Sequence, residues 1–182
     1  LANKTTSMLH GEKAAKDYAK EHQLPLSDIP MIKGWGHRSA PISLESKLAL
    51  SAEKPYIFPH VHQLMSDALY RGGFSHITDL DGLETHDCFS ITQYMAIDHI
   101  GLTAPGESWK AIEEGRITID GDFPINPSGG LLGLGHPVGA TGVRMLLDCA
   151  KQVTGQAGEY QITDAKNMAT FNLGGSTTTC VS

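Results

Sequence analysis

The stretch Asn126-Pro-Ser-Gly-Gly-Leu-Leu-Gly-Leu-Gly-His-Pro-Val-Gly-Ala-Thr-Gly142 decides how the rest of the chain is interpreted. Its glycines allow tight turns and the close approach of a ligand, and Pro137 fixes the backbone after His136. A helix that starts at 138–142 would point unpaired N–H groups and a positive dipole end at the same place. The pattern predicts an imidazole held against a bound molecule; the alternative is a glycine-rich turn with an incidental histidine.

Composition and charge narrow the class of protein. The 182 residues suit a single domain, and 40% hydrophobic and 19% charged residues are globular values. A formal charge of -6 argues against a nucleic-acid partner, which would require clustered Lys and Arg. No apolar run approaches the ~20 residues that cross a bilayer, and no signal peptide is visible. We therefore expect no membrane span.

The cysteines and histidines bear on compartment and metal binding. Cys88, Cys149 and Cys180 are an odd number far apart in sequence, which favours a reducing, cytoplasmic compartment over a disulfide framework. Among the nine histidines, the closest pair is His60 and His62, which would not share a face of a helix. Because no usual ligand spacing appears, we expect neither a structural nor a catalytic metal.

Apolar residues at helical spacing predict four main helices, the first from about Gly11 to His22. The second ends at the pair Gly72-Gly73. Its expected inward residues are Val61, Leu64, Met65, Ala68 and Leu69. A short helix is expected around Ser108–Glu114, within an otherwise loop-rich stretch from 101 to 137.

The third and fourth helices flank that loop-rich stretch. Ser90 would cap the third in a capping box with Gln93. The expected inward residues of this helix are Ile91, Tyr94 and Met95. The fourth helix ends near Lys151 and Gly155, which suit a helix C-terminus. Its apolar stripe consists of Val143, Leu146, Leu147, Ala150 and Val153.

Strand-like segments alternate with these helices. They are Ile29–Arg38, Leu83–Cys88, Met168–Leu173 and Thr177–Ser182. A glycine turn at 174–176 would join the last two into a hairpin. Strands alternating with helices predict an α/β domain in which a mixed β-sheet is layered with α-helices.

A second loop with candidate chemistry reads His86-Asp-Cys88-Phe and stands between a strand and a helix. The positive field at a helix start favours the thiolate form of a cysteine. His86 could supply a hydrogen bond, and Cys88 could carry a proton or act as a nucleophile. Alternatively, Cys88 is a small buried hydrophobic residue.

The third loop is the turn after Asn172, which contains Gly174. Such a turn could present backbone N–H groups to an oxyanion, or it could be a plain hairpin turn. In open α/β sheets, ligands gather where loops leave the carboxyl ends of strands. We therefore expect Cys88, His136 and Gly174 to line one pocket mouth.

Together these motifs resemble the C-terminal half of a thiolase, from about residue 29 to the end. The stretch 126–142 resembles the family's Gly-His-Pro motif closely. Ordinary thiolases carry Asn-Glu-Ala-Phe where this chain reads His86-Asp-Cys88-Phe, and Cys-x-Gly where it reads Asn172-Leu-Gly174. Both departures point to the branch that includes thiolases related to sterol carrier protein. In that branch the cysteine of His-Asp-Cys-Phe takes over the role of the cysteine that is missing from the Cys-x-Gly position.

The resemblance implies an acyltransferase of lipid and fatty acid metabolism, of the acetyl-CoA acetyltransferase type, that makes or cleaves 3-ketoacyl-coenzyme A. Cys88 would be the acid/base that moves the α-proton. His136 would activate the nucleophile and donate to the thioester oxygen. His86 would take a chemically altered part in the oxyanion site around that thioester oxygen. The Gly174 N–H would join a second oxyanion hole, around the acyl-cysteine. Coenzyme A thioesters would be substrates, with no permanently bound cofactor and with the residues that bind coenzyme A unassigned.

The resemblance also implies a partner segment. Thiolases draw their nucleophilic cysteine from an N-terminal half, and no segment here matches it, because Cys149 and Cys180 fall within a helix and a strand. We expect residues 1–28 to be a tail and linker from that half and residues 29–182 to be the C-terminal domain. The chain alone would then have no turnover, and the full-length protein would be a homo-oligomer.

Two alternatives stay open. A non-catalytic module that binds acyl-coenzyme A or a lipid is favoured by Asn172 in the place of a cysteine, although Cys88 offers a compensating thiol. A thiolase-fold aldolase should lack the thiol of Cys88, and condensing enzymes use a different histidine pair. Acyl-chain length and the direction of the reaction are not encoded in these motifs.

Overall fold

The computed structural model describes residues 12–182, which form helices around a small sheet. The α-helices are α1 Glu12–Glu21, α2 Leu44–Ser51, α3 Pro59–Gly72, α4 Ser90–His99, α5 Ser108–Glu113, α6 Gly130–Leu134 and α7 Thr141–Val153. The strands are β1 His37–Ser39, β2 Gly82–Thr85, β3 Met168–Gly174 and β4 Thr179–Val181. The first predicted helix is confirmed within the described residues, and Gly11 lies outside them.

The sheet is mixed, as predicted, and its strand order is β1-β4-β3-β2. β2 and β3 are parallel, with Leu83 opposite Ala169 and Thr85 opposite Phe171. β3 and β4 form the predicted antiparallel hairpin, and β4 pairs antiparallel with β1. Because β2 and β3 are parallel, their carboxyl ends meet at one edge of the sheet.

Strand alternation places helices on both faces of the sheet. Phe171, with its half-buried neighbours Ala169 and Leu173, faces the main core that α3 and α4 complete. The intervening Asn172 points to the other face, where its side chain lies beside the first turn of α7 at Gly142. α7 packs across both β2 and β3. The domain therefore has a helix–sheet–helix order that confirms the α/β prediction.

Helix α3 follows its predicted pattern. Its apolar residues face the core, with Ala68 half-buried and the others buried. Gly73 ends the helix in the left-handed conformation, at φ 82°, and its N–H donates to the carbonyls of Leu69 and Tyr70. Glycine suits this position because it reaches positive φ without a steric penalty.

The predicted start and inward face of α4 are wrong. Phe89 is the N-cap, and Ser90 makes no capping hydrogen bond. The Thr92 hydroxyl donates to the Phe89 carbonyl at 2.6 Å and so takes part in closing the first turn. Ile91 and Tyr94 are exposed and Met95 is only half-buried, because the helix packs through its last turns at 96–100.

Helix α7 has its predicted bounds, but the apolar stripe does not face the core. Val143 is 70% exposed and Leu147 is 49% exposed, and the stripe lines an open cleft. The buried residues of α7 are Thr141, Met145, Asp148, Cys149 and Gln152. Of the three polar ones, those at 148 and 152 tolerate burial because neighbouring side chains and backbone groups satisfy their hydrogen bonds.

Three predicted strands are shorter than expected. The segment expected at Leu83–Cys88 ends as a strand at Thr85. The segment Ile29–Arg38 joins the sheet only at its end, since the backbone at Gly34 and Gly36 lies directly against the carbonyls of α3. The last strand starts at Thr179 instead of 177, because Ser176 and Thr177 adopt positive φ values of 53° and 62°.

A buried histidine, His99, joins α4 to the segment before α3. Its Nε2 accepts the N–H of Phe58 at 3.1 Å, and its Nδ1 therefore carries the proton and donates to the Met95 carbonyl at 2.7 Å. Burial lowers the pKa of His99, and the nearby His62 and His60 lower it further, against the raising effects of the Met95 carbonyl and Asp98. The neutral ring is the form that this packing holds.

We expect this histidine to make the domain less stable in acid. Its folded-state pKa lies below the usual 6.5, so its contribution is present above pH 6.5 and is lost as the pH falls through the folded-state value. The free energy of unfolding should fall by at most about 1.4 kcal/mol per pH unit for this one proton. Urea unfolding at several pH values would measure the slope. His99→Gln should flatten it, whereas the exposed His37→Gln should leave it unchanged.

Candidate active site

The three predicted loops meet at the edge where β2 and β3 end. The His86 N–H donates to the Phe171 carbonyl at 3.1 Å, so the parallel pairing extends one residue past β2. Cys88 then lies before α4, and Gly174 ends β3. The His136 loop precedes α7, which crosses both strands. The carboxyl end of the parallel pair is where a ligand site is expected in such a sheet.

His86, Cys88 and His136 form a compact cluster. One ring nitrogen from each histidine and the Cys88 sulfur all lie within 4.8 Å of one another. The two imidazoles meet edge to face, with ring centroids 4.7 Å apart at 89°. His86 is buried, whereas Cys88 and His136 are half-buried at the mouth of the cleft. The cluster is therefore within reach of a single small ligand.

Thr141 fixes the ring of His136. The Thr141 hydroxyl donates to the Pro137 carbonyl at 3.2 Å, and its oxygen lies 2.7 Å from His136 Nδ1. We assign the hydroxyl proton to the Pro137 carbonyl, and in this assignment Nδ1 carries the ring proton and donates to Thr141. Nε2 is then left with a free lone pair, which can accept a proton or bind a cation.

His86 is more deeply buried than His136. Burial is the largest cause that lowers its pKa, and the neighbouring His136 lowers it further; Asp87 and a hydrogen bond with Asn172 raise it. Among the described residues, its Nδ1 is a buried polar atom without a hydrogen-bond partner. His86 is therefore held as a neutral ring that retains unused hydrogen-bonding capacity.

Asp87 ties two of the loops together. Its Oδ1 accepts the Leu131 N–H at 2.6 Å, at the start of α6. Gly130 has φ 62°, and a Cβ added there would lie 2.3 Å from Asp87 Oδ2. Only glycine fits both the backbone conformation and the space, so the glycines of this stretch serve a specific contact.

Asn126 anchors the start of the same glycine-rich stretch. Its N–H donates to the Leu83 carbonyl, and its Oδ1 accepts the Thr85 N–H at 2.7 Å. The stretch therefore runs along the outer edge of β2 before it reaches His136. Both ends of the His136 loop are thus tied to the sheet, one through Asn126 and the other through α7.

Gly174 lies in the wall of the same cleft. The turn after it is held by two side chains that sequence reasoning missed. The buried Lys47 ammonium donates to the Ser176 carbonyl at 2.7 Å, and the His60 Nε2 lies 2.9 Å from the Thr177 carbonyl. These contacts stabilise a turn that contains two non-glycine residues at positive φ.

Cys149 and Cys180 lie in the core, as predicted. Both are buried, and burial raises the pKa of each thiol, that of Cys180 to about 11. A thiol with such a pKa is a poor nucleophile near neutral pH. Close to Cys149, burial raises the pKa of Glu84 to about 7, although hydrogen bonds from Ser128 oppose this shift.

The cluster opens into a cleft of about 2000 Å³ with an apolar rim. Phe89 is 69% exposed and Val138 is 82% exposed, and the apolar stripe of α7 continues the rim. Exposed apolar surface of this extent marks a binding or assembly face. Within residues 12–182, no helix has the length and apolarity needed to cross a membrane.

We expect Thr141→Val to change the tautomer of His136. Without the hydroxyl, one hydrogen bond worth about 1 kcal/mol is lost, which corresponds to roughly a fivefold change in tautomer ratio. Two-bond proton–nitrogen NMR should show the Nδ1–H form in the unaltered protein and a clear gain of Nε2–H in the variant. Thr118→Val, which removes a hydroxyl from an exposed turn, should leave the His136 signals in place. Unchanged signals in Thr141→Val would contradict the assigned hydrogen-bond direction.

Sequence spacing did not reveal this cluster as a set of metal-ligand atoms. Histidines that are close in sequence share no ligand spacing, but His136 comes from a different loop than His86 and Cys88. Likewise, neither Asp87 nor Thr141 stood out, since each acts through a contact that appears only in three dimensions. The glycine at position 130 was the one available signal of the Asp87 contact.

Comparisons with known proteins place the chain in a family. The family model described as "Thiolase C-terminal domain-like" matches residues 44–182. The chain is 45% identical over 97 residues to an acetyl-CoA acetyltransferase of Methanothermobacter thermautotrophicus. The aligned segment covers 53% of this chain and 25% of that protein. It is 30% identical over 161 residues to sterol carrier protein 2 of Gallus gallus. Here the aligned segment covers 88% of this chain and 29% of the relative.

A solved structure shares the fold. The Ltp2-ChsH2(DUF35) aldolase superimposes with a TM-score of 0.70 at 21% identity, over 93% of this chain and 41% of that one. At this identity the likeness concerns the fold alone. The chain spans about a quarter of the length of the curated relatives described above.

Proposed function

Because the chain belongs to the thiolase C-terminal domain-like family, we propose that it carries the proton-transfer part of a thiolase-type active site. The proposed reaction makes or cleaves 3-ketoacyl-coenzyme A by Claisen chemistry. The observation that carries the proposal is the meeting of His86, Cys88 and His136 at one cleft mouth. General acid/base chemistry requires such groups within hydrogen-bonding reach of one reacting atom.

In this proposal Cys88 moves the α-proton. Its thiolate sulfur takes a proton from the carbon next to the thioester, and the resulting enolate attacks the acyl group held by the nucleophile. As the new C–C bond forms, the C–S bond to the nucleophilic cysteine breaks and that cysteine leaves as a thiolate. The negative charge moves to the thioester oxygen, which then needs donors that are already oriented. The half-buried position of Cys88 at the cleft mouth suits a group that must meet a substrate.

His136 has two tasks in sequence. Its free Nε2 first accepts the proton of the nucleophilic thiol, since Nδ1 is engaged with Thr141. The ring is then a cation with a proton on Nε2, and it donates that proton in a hydrogen bond to the developing enolate oxygen. His86 would support the same oxyanion from its neighbouring position, and the Gly174 N–H would serve the second oxyanion at the acyl-cysteine.

The nucleophile would come from an N-terminal half. Cys149 and Cys180 are buried with raised pKa values, so neither can supply it. The exposed apolar stripe of α7 and the rim at Phe89 and Val138 suit coverage by that half and by an acyl-coenzyme A substrate. A homo-oligomer in the cytoplasm is part of the same proposal.

Solvent deuterium exchange tests the proton-transfer step directly. In the full-length protein, with this chain joined to its N-terminal half, acetyl-coenzyme A in D₂O should gain deuterium at its methyl group, as followed by mass spectrometry. Ketoacyl cleavage should accompany the exchange, and the 182 residues alone should show no turnover. Full-length protein that cleaves nothing and exchanges nothing would contradict the proposal.

A non-catalytic module for acyl-coenzyme A or a lipid is the alternative function. Asn172 favours it, because an amide that cannot act as the acid/base stands where a family thiol would be. In that case acyl-coenzyme A binds, as measured by calorimetry, while the methyl protons do not exchange. A thiolase-fold aldolase would instead release a ketone or aldehyde from a hydroxylated thioester, without exchange of acetyl-coenzyme A.

A further inference from the structure

We propose that His86, Cys88 and His136 form a three-ligand site for Zn²⁺, with a fourth position open to the cleft. One ring nitrogen of each histidine and the Cys88 sulfur lie within 4.8 Å of one another. A tetrahedral zinc with ordinary Zn–N and Zn–S lengths separates its ligand atoms by roughly 3.3–3.6 Å. Closing the difference takes side-chain movements of about 1 Å, which rotamer adjustment can supply.

The surroundings of both imidazoles support the site. A histidine that binds a metal usually donates its other ring N–H to a fixed acceptor, and His136 Nδ1 does so to Thr141 at 2.7 Å. This contact leaves Nε2 as the ligand atom. The buried Nδ1 of His86 has no hydrogen-bond partner among the described residues. A buried polar nitrogen without a partner is uncommon, and the ring therefore retains capacity to bind a cation.

The ligand chemistry selects the metal. Two imidazoles and one thiolate suit zinc, whereas Mg²⁺ and Ca²⁺ require oxygen ligands. Binding replaces the Cys88 proton with the metal, and that proton leaves to the solvent. Three protein ligands with an accessible fourth position are typical of reactive zinc sites, in contrast to the closed set of four ligands in structural ones.

Metal binding goes beyond the proposed function and does not depend on it. If the thiolase chemistry also holds, zinc competes with proton transfer, because the lone pairs of Cys88 and His136 cannot serve both. Zn²⁺ would then inhibit deuterium exchange reversibly. The binding measurements below need no activity, so their failure is distinct from failure of the proposed function.

The first experiment titrates the purified chain with Zn²⁺ in calorimetry and with Co²⁺ in absorption spectroscopy. We expect one Zn²⁺ per chain and a Co²⁺ spectrum with a thiolate charge-transfer band in the near ultraviolet. Cys88→Ser should remove that band, and Cys88→Ser and His136→Gln should each weaken Zn²⁺ binding at least about 100-fold, since the loss of outer contacts alone costs 10- to 100-fold. His37→Gln and Cys149→Ala are the matched controls and should bind as the unaltered protein does.

A second measurement keeps the proposal testable if a variant does not fold. In the unaltered chain, Zn²⁺ should slow the alkylation of Cys88 by iodoacetamide, as mapped by peptide mass spectrometry, and Mg²⁺ should not. Cys149 and Cys180 should stay unmodified in both cases because they are buried. A Co²⁺ complex without a thiolate band, or Cys88 alkylation that Zn²⁺ leaves unchanged, would overturn the proposal.

Discussion

Replacing Cys88 with alanine is expected to slow deuterium exchange into acetyl-coenzyme A by about 10²- to 10⁴-fold, the usual contribution of a positioned general acid or base. The thiol is half-buried at the cleft mouth beside two imidazoles, and no other cysteine in residues 12–182 is accessible to replace it. Alanine removes the proton-carrying atom and little volume, so the domain should remain folded. The measurement is the initial exchange rate in the full-length protein, by mass spectrometry.

Cys149→Ala is the matched control for this prediction. It removes a buried thiol whose sulfur donates to the Ala169 carbonyl, outside the cluster of His86, Cys88 and His136. The exchange rate should change little, although the midpoint of urea unfolding should fall because the substitution leaves a small cavity. Equal exchange rates in Cys88→Ala and in the unaltered protein would remove Cys88 from the mechanism and would favour the acyl-coenzyme A or lipid-binding alternative.

The parts of the site that follow from local sequence were predictable. Glycines around a histidine–proline pair predicted a shaped loop, and the strand–helix junction predicted a thiol with thiolate character at Cys88. Their convergence was expected from the rule for the carboxyl ends of parallel strands, and in the structure His86, Cys88 and His136 lie close together. Periodicity also found α3, because its apolar side faces a core within the same domain.

Other features depend on contacts that periodicity cannot express. Amphipathic spacing found the apolar stripe of α7, yet this stripe faces the cleft. The opposite side of α7, which carries buried polar residues such as Asp148, is the side that packs against the sheet. A prediction from apolar spacing takes the apolar side of a helix as its buried side. This holds only where that side packs within the same domain, and it fails for a surface of the kind that binds a ligand or another segment. The expectation of no metal likewise rested on spacing along the chain, whereas His136 lies in a different loop from His86 and Cys88.

Gly130→Ala is expected to destabilise the domain by about 3 kcal/mol. A non-glycine residue at φ 62° costs about 1–2 kcal/mol, and the new Cβ would displace the Asp87 carboxylate, from which it would be 2.3 Å away. Displacement breaks the charged hydrogen bond to the Leu131 N–H, which is worth about 1.5–3 kcal/mol. Because Asp87 stands between His86 and Cys88, the exchange rate should fall as well. Urea unfolding at pH 8 measures the loss in the free energy of unfolding.

Gly133→Ala tests the same chemical change in the same helix without the contact. Gly133 has ordinary helical φ, and a Cβ added there would meet nothing within 4 Å. Alanine is a better helix former than glycine, so this variant should gain up to about 1 kcal/mol. The difference between the two variants therefore isolates the contact that holds the His86–Cys88 loop against the glycine-rich stretch. Similar unfolding free energies for both would show that the Asp87 contact contributes little to the fold.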